Sequence, residues 1–230
     1  MDKLPESLRP LPLFRDMEDG ELLRLLGCLR ARERHYGKGE ILWEAGAPSL
    51  CVIVRGGLML LREDLKGNRS ILRDYGPGEF LGGTAFGAAE SAPPSFVAAR
   101  AETTVLLLES ATHPCARRCK AHTLLLRNMA QALARAETRL LHKIDCLSRR
   151  TTREKLMAYL AAQTAEAGSK RVSVPYTRQE LADILAVDRS AMCSELTRMQ
   201  SDGLIRCDRR HFELLEGEAP PGASRHPPHA

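Results

Sequence analysis

Two hydrophobic rhythms divide this 230-residue chain. Apolar residues at alternating steps of three and four predict helices, and brief apolar runs between glycines predict strands. Over residues 13–30, Leu22, Leu25, Leu26 and Leu29 share one face of a short N-terminal helix. From about residue 33 to 110 come ILWEAG, LCVIVRGGLMLLRED, SILRDYG and TVLLLES, punctuated by Gly37, Gly39, Gly46, Gly56-Gly57, Gly67-Asn68 and Gly76-Pro77-Gly78. Many short strands with glycine turns predict a small β barrel or roll. Lys66-Gly67-Asn68 lies between two such runs and predicts a hairpin, because residues there tolerate positive φ.

The helical rhythm returns at Pro114, since proline is tolerated at a first helical position, and neither Gly nor Pro follows before Ser148. Within this segment Leu126, Met129, Leu133, Ala136, Leu140, Ile144 and Leu147 form a narrow apolar seam flanked by Arg127, Arg135, Arg139 and Lys143. A seam of this length suits the same helix of a second subunit; the alternative is packing against its own domain. SRRTT, from Ser148 to Thr152, reads as a hinge. REKLMAYLAAQTAEA then predicts an amphipathic helix with Leu156, Tyr159 and Leu160 inward, ended by Gly168, and Val172 to Pro175 a short strand.

The stretch from Thr177 to Met199, TRQELADILAVDRSAMCSELTRM, predicts two short helices joined by a tight turn. Thr177 and Glu180 form a capping box, in which each side chain satisfies a free N–H at the helix start. Leu181, Ile184 and Leu185 give the inward face, and Ala182 is small enough for a close helix crossing. Asp188 is placed to cap the second helix, with Ala191, Leu196 and Met199 pointing back. Arg189, Ser190, Ser194 and Thr197 are then left for a DNA groove. A generic helical hairpin is the plainer alternative, but capping, turn and polar face agree in register with a DNA-reading helix-turn-helix. Beyond it, Asp202-Gly203 closes a turn, LIRCD and HFELL pair as a two-stranded wing around Arg209-Arg210, and EGEAPPGASRHPPHA is too rich in Pro, Gly and Ala to pack.

Composition narrows the classes. The length suits one or two domains, and 43% hydrophobic content supplies cores without any apolar run near a membrane span. MDKLPESLRPLPLF lacks the continuous apolar core of a secretory signal, and seven cysteines leave one unpaired in any oxidised form, so a reduced cytoplasmic location is expected. A net charge of +5 permits nucleic-acid binding without requiring it. The sequence presents no nucleophile–base pair, phosphate-binding loop or H-E-x-x-H motif, so an enzyme is not expected.

In the order of its parts the chain resembles the Crp/Fnr family of bacterial transcription regulators, over nearly all of Leu13 to Leu215. Gly76-Pro77-Gly78-Glu79-Phe80-Leu81-Gly82 and Thr177-Arg178-Gln179-Glu180-Leu181-Ala182 carry the resemblance most strongly. It implies an α+β fold: an N-terminal double-stranded β-helix or jelly-roll domain of cyclic-nucleotide-binding type (residues 1–113), a long dimerisation helix (114–148), a C-terminal winged helix-turn-helix domain (149–216) and a disordered tail (217–230). It also implies a homodimer on a two-fold symmetric double-stranded DNA operator, with RNA polymerase a partner if the protein activates, and no membrane. On this resemblance Thr177, Arg178 and Gln179 hold phosphates at a helix N-terminus, and Arg189 reads a base edge through two hydrogen bonds to guanine. The family often places glutamate next and arginine five residues after that arginine; here Ser190 and Ser194 stand there, so the operator is expected to differ or to rely more on Arg189, Glu195 or DNA deformability. Glu195 has the plainer alternative of pairing with Arg198 or Arg189, and Arg198 of facing phosphate or solvent.

The same resemblance places a sensor in the roll. Cyclic-nucleotide-binding members carry a ribose-binding glutamate where this chain has Gly83, and a phosphate-neutralising arginine near Ser95-Phe96, where it has no basic residue. Burying a phosphate without a cation is costly, so an effector other than cyclic AMP is expected in a pocket around Gly82, Gly83, Thr84, Phe86, Ser95 and Phe96, and Arg100 is expected to be structural. An effector-independent DNA-binding protein, a ligand-binding module without DNA contacts, and a thiol- or metal-responsive regulator stay open as alternatives. Only Cys28 precedes residue 50, against an N-terminal iron–sulfur cluster. His113, Cys115, Cys119 and His122 are metal candidates, because helical spacing would put the last three on one face; the alternative is apolar packing, and Arg117-Arg118-Cys119-Lys120 opposes a cation. Cys51, Cys146, Cys193 and Cys207 read as packing residues, and His35 and His142 as solvated.

Overall fold

A computed structural model describes residues 6–44, 50–63, 67, 69–82, 95–108 and 119–215. The chain divides into two compact units, residues 1–138 and 139–230, with the boundary inside the long helix.

The first unit opens with two 3-10 turns, Glu6–Leu8 and Pro12–Phe14, followed by α1 (Asp19–Cys28). The helix anticipated over residues 13–30 is therefore shorter, because its start is fixed by Glu21 accepting the Glu18 N–H at 3.2 Å. Leu22, Leu25, Leu26 and Leu29 are buried. Then come β1 (Arg32–Tyr36), β2 (Ile41–Glu44), β3 (Leu50–Arg55), β4 (Leu58–Glu63), β5 (Arg69–Tyr75), β6 (Phe80–Leu81), β7 (Phe96–Ala99) and β8 (Thr103–Leu108). Among the described residues they form two antiparallel sheets, in the orders β1-β8-β3-β6 and β2-β7-β4-β5. Strand β3 is apolar throughout its first four residues because both of its faces are covered. Leu50 and Val52 join Leu22, Leu25 and Leu29 in a helix-backed core, while Cys51 and Ile53 join Leu58, Tyr75 and Val97 between the sheets. Burial there pushes the Cys51 thiol up to about 12.

The turn before β6 packs tightly against the N-terminal segment. Gly78 holds φ +83°, and a side-chain carbon there would come within 2.7 Å of Pro12 Cδ, so only glycine fits. The same segment is tied to α2 (Lys120–Ser148): the amide of Asn128, 3% exposed, donates to the carbonyls of Leu13 and Arg15 at 3.0 Å each, and Arg127 pairs with Asp16 at 2.5 Å.

Helix α2 has two apolar faces rather than one seam. Ala121, Leu125 and Met129 are buried in the helix-backed core, and Ala136 is also buried. Leu126, Leu133, Leu140 and Ile144, with Leu141, are between 41% and 62% exposed, and Leu147 is half-buried. Met129 and Ala136 therefore leave the expected intersubunit seam, because the interior of their own chain covers them. The spacing of three and four had merged two adjacent stripes.

The second unit carries α3 (Thr152–Ala167), β9 (Arg171–Ser173), α4 (Arg178–Leu185), α5 (Arg189–Ser201), β10 (Ile205–Asp208) and β11 (His211–Leu214). Thr151 and Glu154 cap α3 reciprocally, and Gly168 at φ +61° ends it. Leu156 and Leu160 are buried, while Tyr159 is only half-buried. Strand β9 adds to β11, so the anticipated two-stranded wing is a three-stranded sheet in the order β10-β11-β9. No described helix is long and apolar enough to cross a membrane.

Candidate nucleic-acid interface

Helix α4 begins where the sequence predicts. Thr177 Oγ1 accepts the Glu180 N–H at 3.2 Å, and Glu180 Oε2 accepts the Thr177 N–H at 2.7 Å. Leu181, Ala182, Ile184 and Leu185 are buried, and Ala182 is 0% exposed at the crossing. The turn is closed by Ala186 at φ +50°. Asp188 Oδ1 then accepts the Ala191 N–H at 2.8 Å and starts α5.

The inward stripe of α5 is Met192, Leu196 and Met199. Ala191, anticipated inward, is exposed: the stripe runs back from Met199 by three and then four residues, and four more fall before the helix. Arg189, Ser190, Ser194 and Thr197 are all exposed on the remaining surface, as a groove-facing set requires.

Around the start of α4, Thr177 and Gln179 are exposed, with Gln179 Nε2 donating to Asp183 Oδ1 at 2.8 Å. Arg178 is half-buried and turned toward the wing. Its guanidinium lies 5.0 Å from the Phe212 ring centroid and Nη2 donates to Cys207 Sγ at 2.6 Å. The wing tip presents Arg209, at φ +48°, and Arg210, both exposed. Cys207 and Cys193 are only half-buried, whereas Cys51 and Cys146 are buried, with burial pushing the Cys146 thiol up.

Glu195 pairs with neither of its two anticipated partners first. Its carboxylate, 15% exposed, accepts from Arg153 Nε at 2.5 Å, with Arg198 Nη1 farther off at 3.6 Å. The same guanidinium reaches Asp202 Oδ2 at 2.7 Å, and these two hydrogen bonds raise the Arg153 pKa above its ordinary value. Lys155 Nζ donates to the Leu185 carbonyl at 3.2 Å, at the C-terminal end of α4. Neither Arg153 nor Lys155 stood out in the sequence. A usable signal was present: two basic residues in the first turn of a helix oppose its dipole, so they call for partners elsewhere.

In the roll, Gly82 is buried and Ser95 and Phe96 are half-buried, with the Arg69 guanidinium 5.9 Å from the Phe96 ring. Gly83, Thr84 and Phe86 lie outside the described residues, as do His113 and Cys115. Cys119 precedes the first helical residue of α2, with its carbonyl accepting the Thr123 N–H, and His122 is buried. Among the described residues no group of three His, Cys, Asp or Glu could hold a metal ion. Arg100 is half-buried near Asp74, at 3.8 Å. His35, anticipated as solvated without partners, is exposed but meets Thr104 Oγ1 at 3.1 Å.

A roll of two antiparallel sheets and a winged helix-turn-helix define a two-domain DNA-binding regulator. Residues 33–113 match the cyclic nucleotide-binding domain, and residues 154–219 match the Crp-like helix-turn-helix domain. The chain belongs to the Crp/Fnr family of transcriptional regulators. Solved structures of similar fold include FixK2 from Bradyrhizobium japonicum, at 20% identity and TM-score 0.59 over 81% of this chain and 93% of that one. They include the c-di-GMP-responsive global regulator CLP of Xanthomonas campestris, at 18% identity and TM-score 0.63 over 87% and 100%. A CooA mutant from Carboxydothermus hydrogenoformans is similar at 19% identity and TM-score 0.61 over 89% and 94%. No curated protein sequence matches the chain.

Proposed function

We propose that the protein works as a homodimer on a two-fold symmetric operator, with α5 of each subunit in successive major grooves and an effector other than cyclic AMP acting through the roll. The arrangement of α5 carries this reading: Arg189, Ser190, Ser194 and Thr197 are exposed, while Met192, Leu196 and Met199 fix the opposite side in the core. Arg189, at the first position of α5, is where a guanidinium meets a base edge, and it donates to guanine O6 and N7. Thr177, Gln179 and the part-exposed Arg178 hold the phosphate backbone from the start of α4. The hydroxyls of Ser190, Ser194 and Thr197 read fewer atoms, which leaves much of the discrimination to Arg189 and to the bendability of the site.

The exposed apolar stripe of Leu126, Leu133, Leu140 and Ile144 supports pairing of α2 with a second copy. Gly83 and the uncharged Ser95-Phe96 support an effector without a phosphate to neutralise, or one that brings its cation from elsewhere. CLP, a neighbour in fold, is described as responsive to c-di-GMP, so a ligand other than cyclic AMP has a precedent on this architecture.

Selection of bound duplexes from a random pool, with and without a small-molecule extract of cells, tests the proposal. The expected product is an inverted repeat whose half-site centres lie about 10 base pairs apart, enriched more strongly with extract. Enrichment of no sequence would remove the operator, and identical enrichment with and without extract would remove the effector.

A further inference from the structure

The first turn of α3 grips both helices of the DNA-reading motif. Arg153 spans two carboxylates about two turns apart, one within α5 and one at its C-cap: Nε on Glu195 at 2.5 Å and Nη2 on Asp202 at 2.7 Å. Lys155, two residues on, donates to the Leu185 carbonyl at the end of α4 at 3.2 Å. One turn of helix thus sets α5 from its side and α4 from its end. The turn itself is held rigid, because Thr151 Oγ1 accepts the Glu154 N–H and Glu154 Oε2 accepts the N–H groups of Arg150 and Thr151. Thr151 lies only three residues beyond Ser148, the last residue of α2.

We infer that Arg153 is a positioning residue for sequence reading: its two-carboxylate clamp fixes the rotation of α5 about its own axis, and so the direction in which Arg189, Ser194 and Thr197 meet the bases. The buried stripe of Met192, Leu196 and Met199 fixes the axis of α5, and two side-chain anchors displaced from that axis then oppose its rotation. Glu195 follows Ser194 directly in the chain and is 15% exposed, so a clamp on its carboxylate holds the neighbouring groove-facing position. Arg153 acts here through Glu195 and Asp202 and touches no base. Lysine cannot fully replace it, since an ammonium is a point charge and lacks the planar fork that reaches two separate carboxylates.

This inference rests on α5 being the reading helix. The test uses the full-length protein, the operator obtained by selection, and a random duplex of equal length, with affinities measured over a range of salt concentrations. Arg153→Met should lower the ratio of operator to random affinity by about tenfold, a size typical of coupled residues in one ionic network, with the salt dependence unchanged. Arg153→Lys and Asp202→Asn should each give a smaller fall in the same ratio; these milder variants carry the test if Arg153→Met does not fold, as judged by circular dichroism. An unchanged ratio in all folded variants would overturn the clamp. So would an equal loss on both duplexes together with a salt slope shallower by about 0.9, the share of a single neutralised phosphate, since that places Arg153 on the DNA backbone. Failure of wild type to select any operator refutes the reading role of α5 instead, and is seen before any variant is made.

Discussion

Truncating Leu133 to alanine is expected to weaken self-association by a calculable amount. Leu133 is 54% exposed on α2, in line with Leu126 and Leu140 at 44% and 41% and with Ile144 at 62%. Full burial of a leucine side chain stabilises by about 1.5–3 kcal/mol, so covering the exposed half contributes about 1–1.5 kcal/mol. Two-fold symmetry doubles this, and Leu133→Ala should therefore cost the dimer about 2–3 kcal/mol, or about 30- to 150-fold in Kd. The whole stripe, with Leu141, supplies on the same reckoning about 10 kcal/mol per pair of chains, against an association cost of about 4–15 kcal/mol, so one position is a large fraction of the net. Sedimentation velocity over a concentration series gives the constant. Met129→Ala is the contrasting variant: Met129 packs in the core of its own chain, so its loss should lower the melting temperature and leave the dissociation constant nearly unchanged. A monomeric wild type, or equal dissociation constants for Leu133→Ala and wild type, would refute the reasoning.

Two further outcomes follow from the hydrogen bonds of the fold. Asn128→Ala strands the buried carbonyl of Leu13 and frees the part-buried carbonyl of Arg15, and should destabilise the first unit by about 1–3 kcal/mol in calorimetry; an unchanged melting profile would mean water replaces the amide without loss. The Glu154 carboxylate is held below its ordinary pKa by the Thr151 N–H and hydroxyl, with help from the Arg150 N–H. A depressed carboxylate stabilises the fold above the unfolded-state value of about 4.3, and that contribution is lost as pH falls through the lower folded value. Glu154→Gln should therefore flatten the acid limb of the stability curve below about pH 4.3, and parallel acid limbs for the two proteins would contradict the capping role.

Legibility followed the strength of local signals. The capping box at Thr177 and Glu180, the Asp188 cap and the apolar run of β3 are written into short stretches of chain, and the structure places them where the residues predict. Strand β1, RERHY, carried no signal because it is an edge strand whose first four residues are exposed, and its pairing with β8 makes it a strand. The seam on α2 was half legible: Leu126, Leu133 and Met129 are equally apolar, and only the packing of the N-terminal turns against the helix assigns Met129 to the interior. On α5 the inward positions Leu196 and Met199 were legible and only the first was misplaced by one residue, since alanine and methionine at 191 and 192 are both compatible with burial. For Arg153 only the need of a partner outside its own helix was legible; its partners at 195 and 202 are brought to it by the crossing of α3 and α5, a long-range arrangement that no local spacing reports.

If the first residue of α5 reads bases, Arg189→Ala must discriminate between duplexes that differ only in sequence. With affinities of the variant and of wild type measured at one fixed salt concentration, the expected loss is about 1–3 kcal/mol on the selected operator and much smaller on a random duplex. An equal loss on both would make Arg189 a backbone contact and contradict base reading.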